Sequence, residues 1–364
     1  MKILYDHHIF CDQRYGGITR YVEELALRLG PSEDVSVFLG CHKSDTRLRE
    51  QRHLFTRFAG WRCDRLFFKR RLRPWLSQRW LAATGWAATC DIHHTSYYND
   101  LELPPGGGLP VVTAYDFIHE KYPQFYGKDP AIVALKRRTL ERSRAIICIS
   151  HNTALDLHQY FDTGDRPVAV IPLANSLDLP PGPQSPHPRP YVLFVGKRAG
   201  YKNFKLLADA FAADERLRKD FDLVTFGGED ARWFSHNGFD MAKLNIVPYY
   251  GDDQLLANLY HHARAFAYPS LYEGFGIPPL EAMHYDCPVI TTNGGSLREV
   301  VGDAAELIDP SQVDSMRAAL QRVCYDEPVR VDLIARGRTK EARFSWARCA
   351  DETLRFYRSL LPQR

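Results

Sequence analysis

The chain has 364 residues, 45% of them hydrophobic and 25% charged, and its net charge is only +3. That length fits two domains better than one core, and that balance excludes disordered, fibrous and membrane-spanning classes. Eight cysteines without a Cys-x-x-Cys pair, after an opening MKILYDHHIF that lacks an apolar leader, argue for reduced thiols in a cytoplasmic protein.

The first half alternates short β-branched runs with helical patterns, the signature of βαβ units and a parallel sheet. Strands are expected at Lys2–Tyr5, Val35–Phe38, Ile92–His94, Val111–Ala114, Ala145–Ile149 and Val168–Ile171. Helices are expected at Ile18–Leu29, Leu66–Leu81, Pro130–Ser143 and Asn152–Tyr160, the last capped by Ser150. The doublets His7-His8, His93-His94 and His261-His262 look like metal ligands, but neighbours on a strand point to opposite faces, so no metal site is expected.

Charge is concentrated between Arg47 and Arg79, where eleven Arg or Lys face only Glu50 and Asp64, leaving the rest of the chain net negative. Seven aromatics interleave with these cations up to Trp80. Arg47–Trp80 therefore suits an anionic membrane surface or a phosphate-bearing acceptor, or else a solvated helix whose aromatics turn inward. No nucleic-acid module accompanies the patch, and no nucleic-acid partner is expected.

Residues 179–190 hold six prolines in twelve positions and read as a linker. It separates a first domain, 1–178, from a second, 191–345. The second series expects strands at Tyr191–Val195, Leu223–Phe226, Ala265–Tyr268, Val289–Thr291 and Glu306–Ile308, and helices at Asn203–Ala212, Asp253–His262 and Pro278–His284. Three further helical segments end with Trp346–Leu361, and residues 346–364 are expected to cross back to the first domain. The fold class is α/β, two doubly wound domains facing each other across a cleft that can hold two substrates.

Chemistry concentrates in Tyr268-Pro-Ser-Leu-Tyr-Glu-Gly-Phe-Gly-Ile-Pro-Pro-Leu-Glu-Ala-Met283. A strand ends, Gly274 and Gly276 permit a tight turn, and Pro278 suits the first helical position. The amides of Phe275, Gly276 and Ile277 are then free donors at a positive helix end, a site for an anion. Glu273 and Glu281 flank it, and carboxylates beside a phosphate site have hydroxyl groups to bind. Lys197, Arg198 and Lys202 follow a strand and Gly196, at the edge where ligands bind; Arg grips phosphate bidentately and Lys acts as a point charge. The one Asp-x-Asp, Asp220-Phe-Asp222, precedes a strand instead of following one and reads as a helix end entering it.

The 268–283 segment resembles the Glu–seven residues–Glu motif of family-4 glycosyltransferases, retaining enzymes of the GT-B fold. Tyr15-Gly-Gly-Ile18 resembles that family's amino-terminal glycine loop, which brings in Gly17. Phe194-Val-Gly-Lys-Arg-Ala-Gly-Tyr-Lys-Asn203 resembles its diphosphate-binding motif, and Gly294-Gly-Ser-Leu-Arg-Glu299 followed by Asp303-Ala-Ala is typical of the group. The similarity is greatest to mannosyltransferases of bacterial surface polysaccharide assembly. In the loop after Val111–Ala114 the family often places a His; here Tyr115 stands at that position, with Asp116 beside it and His119 three residues on.

The resemblance implies transfer of a hexose, with retention and without a metal or cofactor, from a GDP-sugar to a glycan or lipid-linked saccharide; a UDP-sugar is the alternative donor. The enzyme is expected in the cytoplasm, with Arg47–Trp80 as the segment that could hold it peripherally at the inner face of the cytoplasmic membrane. Glu273 contacts the donor sugar, Glu281 the ribose, and Arg198 and Lys202 the diphosphate. Asp116 and His119 are candidates beside the reacting hydroxyl, with an ordinary structural histidine as the other reading of His119. Rival classes are a nucleotide-sugar-processing enzyme and a noncatalytic sugar-binding protein of the same fold.

Overall fold

The structure is a computed structural model that describes every residue except 64–71, 100–106, 127–129, 199 and 363–364. Contacts divide the chain into two units, one of Met1–Lys121, Gly127–Leu173 and Ser345–Arg364, the other of Tyr122–Tyr126 and Ala174–Phe344.

The first unit is built on seven parallel strands: β1 (Lys2–Tyr5), β2 (Asp34–His42), β3 (Arg57–Arg62), β4 (Ile92–Thr95), β5 (Leu109–Ala114), β6 (Ala145–Cys148) and β7 (Val168–Val170). Their order is β3-β2-β1-β4-β5-β6-β7, so the winding reverses between β1 and β4. Ile3, Leu4 and Tyr5 are fully buried, as expected for a central parallel strand covered on both faces. Helix Gly17–Leu29 buries Tyr21, Val22, Leu25 and Ala26. Ser150 caps helix His151–Tyr160 by accepting from the Thr153 amide at 2.9 Å.

The second unit has six parallel strands: β8 (Tyr191–Val195), β9 (Asp222–Phe226), β10 (Ile246–Tyr249), β11 (Ala265–Tyr268), β12 (Val289–Thr291) and β13 (Ala305–Leu307). Their order is β10-β9-β8-β11-β12-β13, with the reversal between β8 and β11. Phe194, Phe204, Leu207, Phe211 and Phe234 form the centre of its core.

Several expectations are revised. The basic, aromatic stretch is not one helix: it includes strand β3, the edge of the first sheet, and helix Leu72–Thr84. Trp61, Trp75 and Trp80 are exposed, and Trp80 also lies edge-on to the buried Phe38, with ring centroids 5.2 Å apart. Residues 64–71, with Lys69 and Arg70 among them, lie outside the described residues.

The proline-rich segment is not a free tether. Gly182 donates its amide to Asn258 Oδ1 at 2.7 Å and Leu179 donates to the Tyr285 hydroxyl at 3.1 Å, so it is strapped along the second unit. His187 Nε2 and Arg189 bond the Asp222 carboxylate at 2.8 and 2.6 Å. Helix Glu215–Asp220 ends just before β9, and Asp222 is buried in these contacts. The closing helix stops at Ser359. Among the described residues no helix is long and apolar enough to cross a membrane.

Candidate functional site

The loops that follow β8, β9, β11 and β12 meet at the carboxyl edge of the second sheet, around the point where strand order reverses. Doubly wound folds bind ligands at this place. The Leu271 amide donates to the Tyr201 carbonyl at 2.8 Å, joining the β11 loop to the β8 loop. Ser296, after β12, donates through its amide to the Glu273 carbonyl at 3.1 Å and through Oγ to the Phe275 carbonyl at 2.6 Å. Gly295 has φ +63, and a Cβ there would lie 2.4 Å from the Glu273 carbonyl oxygen, so glycine is required for this approach.

These loops bring Lys202 and Glu273 together. Lys202 Nζ donates to Glu273 Oε1 at 2.7 Å and also to the Tyr268 hydroxyl. Ser270 Oγ donates to the same Glu273 oxygen at 2.5 Å. Burial first, and then the neighbouring Glu273 charge, push the Tyr268 phenol well above its usual range, so it stays neutral and can accept from the ammonium.

The turn after Glu273 enters helix Ile277–His284 through Gly276, whose φ of 111° suits glycine. Pro278 and Pro279 occupy the next positions and lack N–H groups, so the helix start presents only a few donors. Among the described residues the amides of Phe275, Gly276 and Ile277 have no hydrogen-bond acceptor, as an anion-facing turn requires. Glu281 is the fifth residue of this helix, just past its first turn. It is buried, and Tyr260 donates its hydroxyl to Oε2 at 3.1 Å.

The neighbouring cations differ in kind. Lys197 is exposed. Arg198 is buried, its guanidinium donating to the carbonyls of Glu229 and, at 2.9 Å, Gly227, and to Thr225 Oγ1 at 3.2 Å. Its own amide donates to Glu229 Oε2 at 2.8 Å, and the guanidinium carbon lies 4.4 Å from the Phe234 ring centroid. The bidentate phosphate grip expected of Arg198 is therefore already spent on carbonyls of the β9 loop.

In the first unit Gly17 is exposed and starts its helix. Asp116 is 38% exposed; its Oδ1 accepts from the Ile118 amide at 3.2 Å. His119 is half-buried in the short helix Ile118–Lys121. The loop is braced from within by Lys136, 1% exposed, whose Nζ donates to the Asp116 carbonyl and to Glu120 Oε2, each at 2.8 Å. Tyr115 turns inward and donates its hydroxyl to the Ser96 carbonyl at 3.1 Å, so its ring is part of the core.

A second constellation, absent from the sequence reading, sits where the winding of the first sheet reverses. Asp6, after β1, accepts from the Ser96 amide and hydroxyl at 2.9 and 2.7 Å, and from Thr95 Oγ1 at 2.7 Å; His93 Nε2 lies 3.1 Å away. Burial opposes its charge, but His8 and His93 outweigh burial and hold the carboxyl well below its usual range. The signal was a lone Asp directly after a strand. His94 points to the opposite face, with Nε2 2.9 Å from Thr113 Oγ1 and Nδ1 2.5 Å from the Tyr357 hydroxyl. Among the described residues no three His, Cys, Asp or Glu are grouped to hold a metal ion. A cavity of about 380 Å³ lined by His151, Val170, Arg348 and Arg355 lies beside the edge strand β7.

Known proteins share this pattern over nearly the whole chain. The family described as Glycosyltransferase Family 4 matches residues 15–179, and that described as Glycosyl transferases group 1 matches 178–340. The chain is 30% identical over 286 residues to O-antigen chain mannosyltransferase B of Escherichia coli, covering 74% of each protein. It is 25% identical over 267 residues to O-antigen chain mannosyltransferase RfbU of Salmonella typhimurium, covering 70% of this chain and 72% of that one. In three dimensions it is similar to sucrose-phosphate synthase of Thermosynechococcus elongatus, with a TM-score of 0.79 over 99% of both chains at 20% identity. The chain thus belongs to the family-4 glycosyltransferases and has their GT-B fold of two Rossmann-like units.

Proposed function

We propose that this glycosyltransferase moves a mannosyl residue from GDP-mannose to a glycan or lipid-linked saccharide of a bacterial surface polysaccharide, with retention and without a metal. The observation that carries the donor site is the pairing of Lys202 and Glu273 beside the unoccupied amides of Phe275–Ile277, at the reversal of the second sheet. The mannosyl and polysaccharide parts rest on the two relatives that are O-antigen mannosyltransferases.

In this reading Lys202 and Lys197 meet the diphosphate as point charges. Arg198, locked below the β8 loop, adds a fixed positive charge and shapes the loop. Glu281 holds the ribose, and Glu273 receives hydroxyls of the sugar. The departing phosphate gains negative charge as the glycosidic bond breaks, and prepositioned cations and amides stabilise it without reorganisation. Glu273 engages an ammonium and a serine hydroxyl through one oxygen, which suits hydrogen bonding to the sugar better than attack on it. The reaction is then a front-face substitution: the acceptor oxygen bonds the anomeric carbon while its proton passes to the leaving phosphate oxygen. Asp116 and His119 orient the acceptor hydroxyl.

A thermal-shift panel tests the donor. A ligand at a hundredfold excess over its Kd stabilises the folded state by about 2.7 kcal/mol, so GDP and GDP-mannose should each raise Tm by a few degrees and UDP and ADP should not. Stabilisation by UDP and UDP-glucose alone would transfer the assignment to a UDP-sugar.

We further propose that the 47–80 stretch attaches the enzyme to anionic membranes. Exposed Trp61 and Trp75 support this, the latter with the Arg79 guanidinium 5.4 Å from its ring. Binding to vesicles containing phosphatidylglycerol should fall steeply with salt and weaken on joint Trp61→Ala and Trp75→Ala substitution. Absence of binding at low salt would refute attachment.

A further inference from the structure

In the ligand-free protein the cation assigned to the donor phosphate is bonded to the carboxylate assigned to the donor sugar. Lys202 comes from the turn Gly200–Lys202 after β8, and Glu273 from the loop after β11. The two side chains are only 14% and 12% exposed. Neither end of the pair is loose. Lys202 Nζ also bonds the Tyr268 hydroxyl and lies 4.7 and 5.1 Å from the ring centroids of Tyr268 and Tyr201. Glu273 is held by Ser270 Oγ on its carboxylate and by Ser296 on its carbonyl.

Two ligands would meet this pair differently. An intact nucleotide sugar gives Lys202 a phosphate and gives Glu273 sugar hydroxyls, so both charged groups exchange one partner for another. A nucleoside diphosphate gives Lys202 a phosphate but nothing to Glu273. It leaves a mostly buried carboxylate with one donor fewer, beside added negative charge, and such a group is costly to strand.

We propose that the Lys202–Glu273 pair, set by Tyr268 and Ser270, is a specificity element that favours the sugar-bearing nucleotide over the spent diphosphate and so speeds product release. Tyr268 acts as a positioning residue: its neutral hydroxyl fixes the ammonium over the ring and against the carboxylate. This inference rests on the reading of these loops as the donor site.

The test measures Kd for GDP and GDP-mannose by calorimetry in wild type, Glu273→Gln, Lys202→Met and the double variant, with UDP and UDP-glucose in parallel. Removing the carboxylate's charge frees Lys202, so Glu273→Gln should bind GDP about five- to tenfold more tightly while GDP-mannose gains nothing or weakens. In the Lys202→Met background the same substitution should leave GDP affinity within twofold. An unchanged or weaker affinity for GDP in Glu273→Gln would overturn the proposal. So would an equal gain in both backgrounds, which would mean simple relief of charge repulsion. Glu273→Ala gives the same comparison if the amide variant folds poorly. Failure of the donor-site reading shows separately: wild-type protein would then bind neither diphosphate.

Discussion

Lys202 and Arg198 stand four residues apart in one motif, yet the structure gives them opposite surroundings. Residue type and spacing were enough to single out both as cations at a strand end. They could not show direction, because the burial of Arg198 depends on the β9 loop, whose Gly227 and Glu229 carbonyls supply its acceptors. Glu273 and Glu281 were readable because two glycines and two prolines force a turn between them. Tyr268, Ser270 and Ser296 were not singled out as site residues, since a tyrosine at a strand end and serines in loops are common. The two cations should therefore fail differently. Lys202→Ala should weaken donor binding roughly ten- to a hundredfold, the value of one charge-assisted hydrogen bond of about 1.5–3 kcal/mol, and it should lower Tm as well, because Glu273 loses its ammonium donor and keeps that of Ser270. Arg198→Ala should lower Tm by several degrees, because it empties a buried site and takes a donor from the Gly227 carbonyl and the buried Thr225, the Glu229 carbonyl keeping the Tyr250 hydroxyl. Equal effects of both substitutions on Kd, with the Tm of Arg198→Ala unchanged, would show that Arg198 grips the ligand directly.

Most strands that are apolar runs were predicted within a residue or two, as were most longer helices, because burial on both faces leaves a clear pattern; β2 runs four residues past its expected end, and the helix expected at Leu66–Leu81 ends at Thr84, its expected start lying outside the described residues. Two edge strands escaped. β3 reads Arg-Phe-Ala-Gly-Trp-Arg and none of its residues is fully buried, so its composition resembles a basic surface segment. β10 contains Pro248, which a sheet tolerates at its edge, where β10 lies. The closing helix Trp346–Ser359 was visible by period, but its anchor was not. Tyr357 bonds His94 and lies 3.3 Å, hydroxyl to hydroxyl, from Tyr5, so this helix is tied to strands β4 and β1 through buried polar groups. Burial lowers the His94 pKa from 6.5 to about 3. Below about pH 6.5 the unfolded chain takes up a proton that folded His94 refuses until about pH 3, so stability is lost as pH falls through that window. Burial keeps His7 neutral too, and it adds to the loss. Asp6, held low, loses its contribution only below its ordinary value of 3.8, outside the interval from about pH 6.5 to 4. Melting curves between about pH 6.5 and 4 should show a falling Tm for wild type and a shallower fall for His94→Gln. An identical slope would show that His94 does not carry the effect.

The alternation of strands and helices over 364 residues announced two doubly wound sheets, and the change of series near the prolines announced where one ends. What alternation could not show is how the connecting segment is held. Residues 174–190 cluster with the second unit because Asn258, Tyr285 and Asp222 supply partners far away in sequence, and 345–364 join the first through Tyr357 and the Arg358–Glu33 pair at 2.7 Å. Both sheets place loops at a reversal point, and the second gathers cations, carboxylates and, among the described residues, amides without an acceptor there. That gathering is the basis for the proposal of transfer without a metal, in which fixed positive charge takes the part that a divalent ion would otherwise play at the leaving diphosphate. The decisive measurement is mannosyl transfer from GDP-mannose to a lipid-linked oligosaccharide in excess chelator, followed as acceptor-dependent release of GDP together with the mass of the extended saccharide. One GDP should be released per mannose added, at a rate that chelator does not change. No extension of the acceptor, or extension that appears only when magnesium or manganese is restored, would contradict the account.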